Sequence, residues 1–140
     1  MTEFPLGIAP SVIVAPFSRG VVLVVSGEID IASSSLLSEA IAVELDRGHR
    51  RFVIDLSDTA LLDCATIRAL LDAVRPLQDD PDAMVVLAGA VGVVARLLDL
   101  LEVDRLFAIA PGRDVAVLSI MDGFQPSGDG WRDARRPVPS

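Results

Sequence analysis

The sequence predicts an α/β domain: a mixed β-sheet of four to five strands flanked by about four helices. Three observations lead there. Short apolar runs rich in β-branched residues recur at Val21–Val25 (VVLVV), Phe52–Leu56 (FVIDL) and Met84–Ala88 (MVVLA), the pattern of strands buried on both faces. Segments with apolar residues at helical spacing lie between them, and strand–helix–strand alternation on this scale is the mark of parallel βαβ crossovers. The N-terminal SVIVAPFSRGVVLVV reads instead as a hairpin with its turn at Pro16–Gly20, which makes the sheet mixed.

Taken in order, the elements have local causes. After the hairpin, Ser33, Ser34 and Ser35 can cap a helix start; Leu36, Leu37, Ala40, Ile41 and Leu45 then fall on one face, and Gly48 supplies a stop. Following FVIDL, Ile67, Leu70, Leu71, Val74 and Leu77 repeat the helical spacing until Pro76 kinks or ends the helix. Beyond MVVLA, Val94, Leu97, Leu98 and Leu101 define a third helix, LFAIA (106–110) a short strand, and RDVAVLSIM (113–121) a weaker fourth helix. Residues 1–10 are a lead-in, 11–121 the domain, and 122–140, dominated by Gly, Pro, Ser and charge, a tail expected to be disordered, from which Phe124 or Trp131 can dock.

Composition excludes several functions. Hydrophobic residues make up 51% of the 140 and aromatics 4%, with mean hydropathy +0.52, so the core is substantial and aliphatic. A formal charge of −8 weighs against a nucleic-acid partner, which requires a clustered positive footprint; RGHRR (47–51) and WRDARR (131–136) read as solvated loop and tail. The N-terminus lacks the basic region of a signal peptide and the single cysteine forms no internal disulfide, so cytoplasm is the expected compartment. The uncharged run Ala83–Ala95 is interrupted by Gly89 and Gly92 and is too short for membrane insertion. Catalysis finds no equipment: the only histidine, His49, sits in a predicted loop, no G-x-S-x-G elbow is present, and one His with one Cys cannot build the usual metal site. The AGAVG turn (88–92) lacks both G-x-G-x-x-G and the P-loop lysine. The chain is read as a non-enzyme with no metal and no cofactor.

The stretch LLDCATIRALL (61–71) is the most informative. At about 100° per residue, Ala65, Arg68, Asp72, Arg75 and Asp79 share one side of the helix while the apolar residues occupy the other. Position 65 therefore sits at a helix N-terminus beside a charged face that another protein can read. A phosphate there would be favoured by the free N–H groups and the helix dipole, yet would add charge of about −2.

Three segments together resemble the STAS-domain family, and within it the bacterial anti-sigma factor antagonists. VVSGEIDIAS (24–33) is similar to the family's G-E-[LI]-D after a strand; RFVIDLSDTALLDCATIRALL (51–71) is similar to its strand, D-L-S and D-S-S-G-L; and VVARLLDLLEVDRLFAI (93–109) is similar to its third helix and G-L-D-R-L-F. The resemblance covers about Ser11 to Met121. It implies a binding module that grips an anti-sigma factor, often a serine kinase of the histidine-kinase-like ATPase type, and so frees a sigma factor for transcription. It further implies that the partner surface comprises Glu28, Asp30, Ser33, Asp63, Cys64, Ala65, Thr66, Arg68 and Asp72, with a homodimer left open.

Carried over by position, the family's phosphoacceptor serine is Ala65, which cannot be phosphorylated, while Cys64 replaces the first serine and Thr66 the glycine. Three consequences compete: constitutive binding; a phosphate moved to Thr66, although its offset of about 100° turns it toward the buried face; or redox sensing by Cys64. Asp63 is expected to act in the interaction and Asp55 in structure. The alternative function is a non-switching STAS subunit or scaffold of a transporter or stress-signalling complex.

Overall fold

In a computed structural model, which describes residues 9–105 and 107–122, the chain forms a five-stranded mixed sheet with four helices. The elements are β1 (Ser11–Phe17), β2 (Gly20–Ile29), α1 (Ser34–Asp46), β3 (Arg51–Leu62), α2 (Cys64–Val74), β4 (Met84–Ala88), α3 (Gly92–Leu100), β5 (Ala108–Ala110) and α4 (Arg113–Met121). Strand order follows chain order, with β1 antiparallel to β2 and every other pair parallel. Right-handed crossovers between neighbours in that order place every crossover helix on the same face. One core accordingly joins Leu37 and Ile41 of α1, Ile67 and Leu70 of α2, and Val94 and Leu98 of α3 to Val21, Leu23, Phe52, Ile54 and Leu87. The opposite face carries Val22, Val53, Val86, Ala88 and Ala110, covered by Ala116 and Ile120 of α4.

Several boundaries differ from the sequence reading. The hairpin turn is Ser18–Arg19, not Pro16–Gly20: β1 continues through Phe17, and Pro16 is tolerated because β1 is an edge strand. Leu36 is exposed; the buried stripe of α1 is Leu37, Ile41 and Glu44, the last a carboxylate held by Arg47 Nη1 at 2.9 Å and facing His49 Nε2 at 3.5 Å. Helix α2 ends before Pro76 and a 3-10 turn, Arg75–Leu77, follows, so Asp79 lies beyond the helix. Leu101 caps α3 and is exposed. The expectations for Phe124, Trp131 and the tail from 123 lie outside the described residues.

The greatest departure is the length of β3. Beyond Asp55↔Ala88 it loses β4 and continues paired with β2 alone, through Glu28↔Leu61 and Ile29↔Leu62. Two register shifts, at Val24/Ser26 and Gly27/Glu28, each place an extra residue on β3. Bulges leave backbone groups unpaired; here the buried Thr59 hydroxyl donates to the Val25 carbonyl at 2.7 Å. Gly27 lies between the shifts with φ +90°, a conformation that suits glycine. The ribbon then enters α1 through a reciprocal turn: Ser33 N–H donates to Asp30 Oδ1 at 3.1 Å and Asp30 N–H to Ser33 Oγ at 3.0 Å. The Ser33 hydroxyl, expected to cap α1, is thus engaged with Asp30 and caps nothing.

Asp55 is buried where β3 leaves β4. Its Oδ1 accepts from Ser57 N–H (3.0 Å) and Ser57 Oγ (2.7 Å), and its Oδ2 from Arg113 Nε at the start of α4 (2.9 Å). This agrees with the structural role read from sequence. Gly89, at φ +77°, closes over the group: a Cβ there would lie 3.0 Å from Ser57 Cβ and 3.3 Å from Asp55 Oδ1.

Two predictions follow from these contacts. Gly89→Ala combines left-handed strain with a tight contact and should cost about 1–2 kcal/mol or more, read as a lower urea midpoint at unchanged slope; an unchanged midpoint would contradict the packing. Hydrogen bonds from Ser33 hold the Asp30 carboxyl below its usual value of 3.8. A depressed carboxylate contributes stability that is present above the unfolded pKa and is lost as pH falls through the folded one. An NMR titration should place the Asp30 midpoint below 3.8, and Ser33→Ala should raise it.

Candidate functional site

The candidate surface lies at the C-terminal ends of β2, β3 and β4, where parallel strands and one-sided crossovers bring their following loops to one edge. The β2–β3 ribbon contributes first. Glu28 is exposed and registers opposite Leu61, itself 44% exposed, and Ile31 in the next turn is 72% exposed. Asp30 and Ser33 stand together in that turn, and Asp58 is exposed on β3. From the β4–α3 connection, Val91 and Val93 are also exposed. Exposed aliphatic side chains thus lie among carboxylates. Ile31, Leu61, Val91 and Val93 were not singled out from sequence, since an isolated exposed aliphatic has no motif; only their shared edge groups them.

Helix α2 supplies the second part. Asp63, the residue before it, is extended, and its Oδ1 accepts from Thr66 N–H and Thr66 Oγ1, both at 2.9 Å. Asp63 is therefore a helix cap, which satisfies one of the otherwise unpaired first-turn donors; the interaction role expected for it shares the residue with this structural one. Cys64 is exposed and its thiol is free, while Ala65 is half-buried. Thr66 is 1% exposed with its hydroxyl committed to Asp63. For Thr66 to serve as a substitute acceptor, a kinase would have to open this first turn to reach the hydroxyl.

Along the outer side of α2, Arg68 is exposed and Asp72 pairs with Arg75 at 2.7 Å. With Cys64, Ile67, Leu71, Leu101 and Val103 these residues line an open groove of about 480 Å³ between α2 and the segment after α3. Cys64, Arg68 and Asp72 thus share one groove, Glu28 stands on the ribbon, and Asp30 and Ser33 form the turn; the start of α2 lies between groove and ribbon. Among the described residues, no three His, Cys, Asp or Glu side chains gather to hold a metal ion, and no helix is long and apolar enough to cross a membrane. This end of the sheet thus carries exposed aliphatic side chains together with carboxylates and, in the groove, Arg68 and Arg75.

Comparison with known proteins gives this geometry a context. An anti-sigma factor antagonist from Mycobacterium paratuberculosis superposes with a TM-score of 0.68 at 26% identity, over 81% of this chain and 96% of that one. The anti-sigma factor antagonist SpoIIAA in its unphosphorylated form gives 0.67 at 12% identity over 81% and 97%. An anti-sigma-factor antagonist (STAS) domain protein from Planctomyces limnophilus gives 0.68 at 11% over 81% and 99%; at such identities these two show the fold alone. No curated protein matches the chain. The STAS-domain family model matches residues 12–116, most of the chain and all five strands, and the chain belongs to the STAS-domain family.

Proposed function

We propose that this STAS domain is an anti-sigma factor antagonist that binds its partner without a phosphorylation switch. It engages an anti-sigma factor through the β2–β3 ribbon and the exposed side of α2, and thereby releases a sigma factor for transcription in the cytoplasm. It acts by binding and not by catalysis. The observation that carries this reading is the start of α2: a family-like partner surface in which position 65 has no hydroxyl and the neighbouring Thr66 hydroxyl is buried against Asp63. The 26% identity to an anti-sigma factor antagonist supports the partner class. Where the partner is a serine kinase of the histidine-kinase-like ATPase type, ATP finds no acceptor here, and occupancy follows concentration and affinity.

The direct test is a tagged pull-down from the source cells with and without ATP, followed by mass spectrometry of the bound proteins and of the peptide spanning residues 58–75. An anti-sigma factor should be recovered equally in both conditions with no phosphate on Thr66. Recovery of a transporter subunit in its place, or a phosphate on Thr66, would overturn the proposal.

Variants separate binding from folding. Ala65→Glu adds a negative charge at a helix N-terminus, which favours the helix, but within a surface already holding Glu28, Asp30 and Asp58. Partner affinity should fall about 10-fold or more, about 1.4 kcal/mol, with no loss of thermal stability. Leu61→Asp should weaken binding by a similar factor. Asp63→Ala should remove the cap and cost about 1 kcal/mol of stability, whereas Asp63→Ser keeps a capping oxygen, so any binding loss in the serine variant reports on the carboxylate itself. Full affinity in both Ala65→Glu and Leu61→Asp would exclude this surface.

A further inference from the structure

The second face of the sheet is only partly covered. Helix α4 packs over β3, β4 and β5, and its C-terminal end is fastened at the β1–β2 turn, where the Arg19 guanidinium donates to the Met121 carbonyl at 3.4 Å and the Ser18 hydroxyl to Met121 Sδ at 3.1 Å. The β1–β2 half of that face is left with Phe17, Ala15 and Val24 half-buried. Ile13, which the strand alternation places on the same side as Ala15 and Phe17, is 60% exposed. Helix α4 is also apolar on its outer side, where Leu118 is 59% exposed and Met121 is exposed too. An exposed apolar surface that runs from a helix to a partly covered sheet face marks a place where something docks.

We propose that the occupant is the chain's own segment 123–136, which lies outside the described residues, laid back over the β1–β2 half of the sheet. The chain leaves α4 at the Phe17 end of this surface, because Met121 is held at the Ser18–Arg19 turn. Phe124 follows almost at once, and Trp131 comes nine residues after Asp122. Nine extended residues reach at most about 30 Å, whereas Ile13 lies only four strand residues, about 13 Å, from Phe17. Phe124 can thus cover Phe17, and Trp131 can reach Ile13 and Leu118.

Charge points the same way. Past Ile13 along this face the strand alternation presents Glu28, which is exposed. The residues that follow Trp131 include Arg132, Arg135 and Arg136, in a chain whose formal charge is −8. The docked segment brings those arginines toward the acidic end of the ribbon.

Trp131 is the only tryptophan, so its fluorescence in the intact chain reports docking directly. Native protein should emit at shorter wavelength than the same chain in denaturant, with an acrylamide quenching constant several-fold lower at every protein concentration. Ile13→Lys and Leu118→Lys, both at exposed positions, should each raise quenching toward the denatured value while the far-UV circular dichroism stays native. If one variant loses its fold, the other decides. A native Trp131 as accessible as in denaturant would overturn the proposal, as would protection that survives whichever variants keep their fold. Protection that appears only as concentration rises, with a doubled mass in sedimentation, would overturn it in favour of a second copy of the chain.

Discussion

A carboxylate buried at the middle of the sheet organises the rest of this domain. Asp55 sits where β3 leaves β4, and burying a charge without partners would be prohibitive. Its neighbours are arranged to satisfy it: the chain bends so that Ser57 donates twice, α4 begins where Arg113 can donate, and position 89 takes a backbone that only glycine adopts easily so that the β4–α3 connection can pass close by. One side chain thereby ties the end of a central strand to the helix on the second face. The pair is asymmetric, since Asp55 is buried and Arg113 partly exposed. Its value is less the attraction between the charges than the alternative it excludes, a buried carboxylate short of donors.

From that point the ribbon takes over. Once β4 ends, β3 has only β2 beside it, and a two-stranded ribbon is weakly stable by itself. Two bulges increase its twist, the Thr59 hydroxyl satisfies the carbonyl they leave open, and the Asp30–Ser33 turn ties its end to α1. Leu62 and Ile29 are buried as the last inward residues, so Leu61 and Glu28 face outward as a consequence of alternation. The same geometry that holds the ribbon to the core fixes which side chains it exposes.

The layout was legible where periodicity was strong. Three apolar strands, four helices and the mixed sheet follow from spacing alone, and the STAS resemblance rests on motifs that now occupy the ribbon and the start of α2. What sequence could not supply were facts created by tertiary neighbours. Glu44 is buried because Arg47 and His49 close over its carboxylate, and nothing in an amphipathic pattern announces that. Leu36 falls in the first turn of α1, ahead of the stripe that meets the sheet, and stays exposed. The extra length of β3 is hidden because its final residues, SDTALL, lack an apolar run and owe their strand conformation to β2.

The capping geometry decides what an alanine at position 65 means. Asp63 satisfies the first turn from one side and takes the Thr66 hydroxyl with it, so the helix start is complete without any modification. In a switchable module the covalent step adds a charge of about −2 and changes affinity at constant concentration. On the function proposed above, with no hydroxyl at position 65 and the adjacent one buried, that control is absent at this turn, and the remaining control is mass action: the bound fraction follows the amount of domain relative to its dissociation constant. On the same proposal the domain suits a circuit in which synthesis sets the signal, and the affinity would rest on the apolar residues of the edge, whose contribution no kinase acting at this turn would cancel.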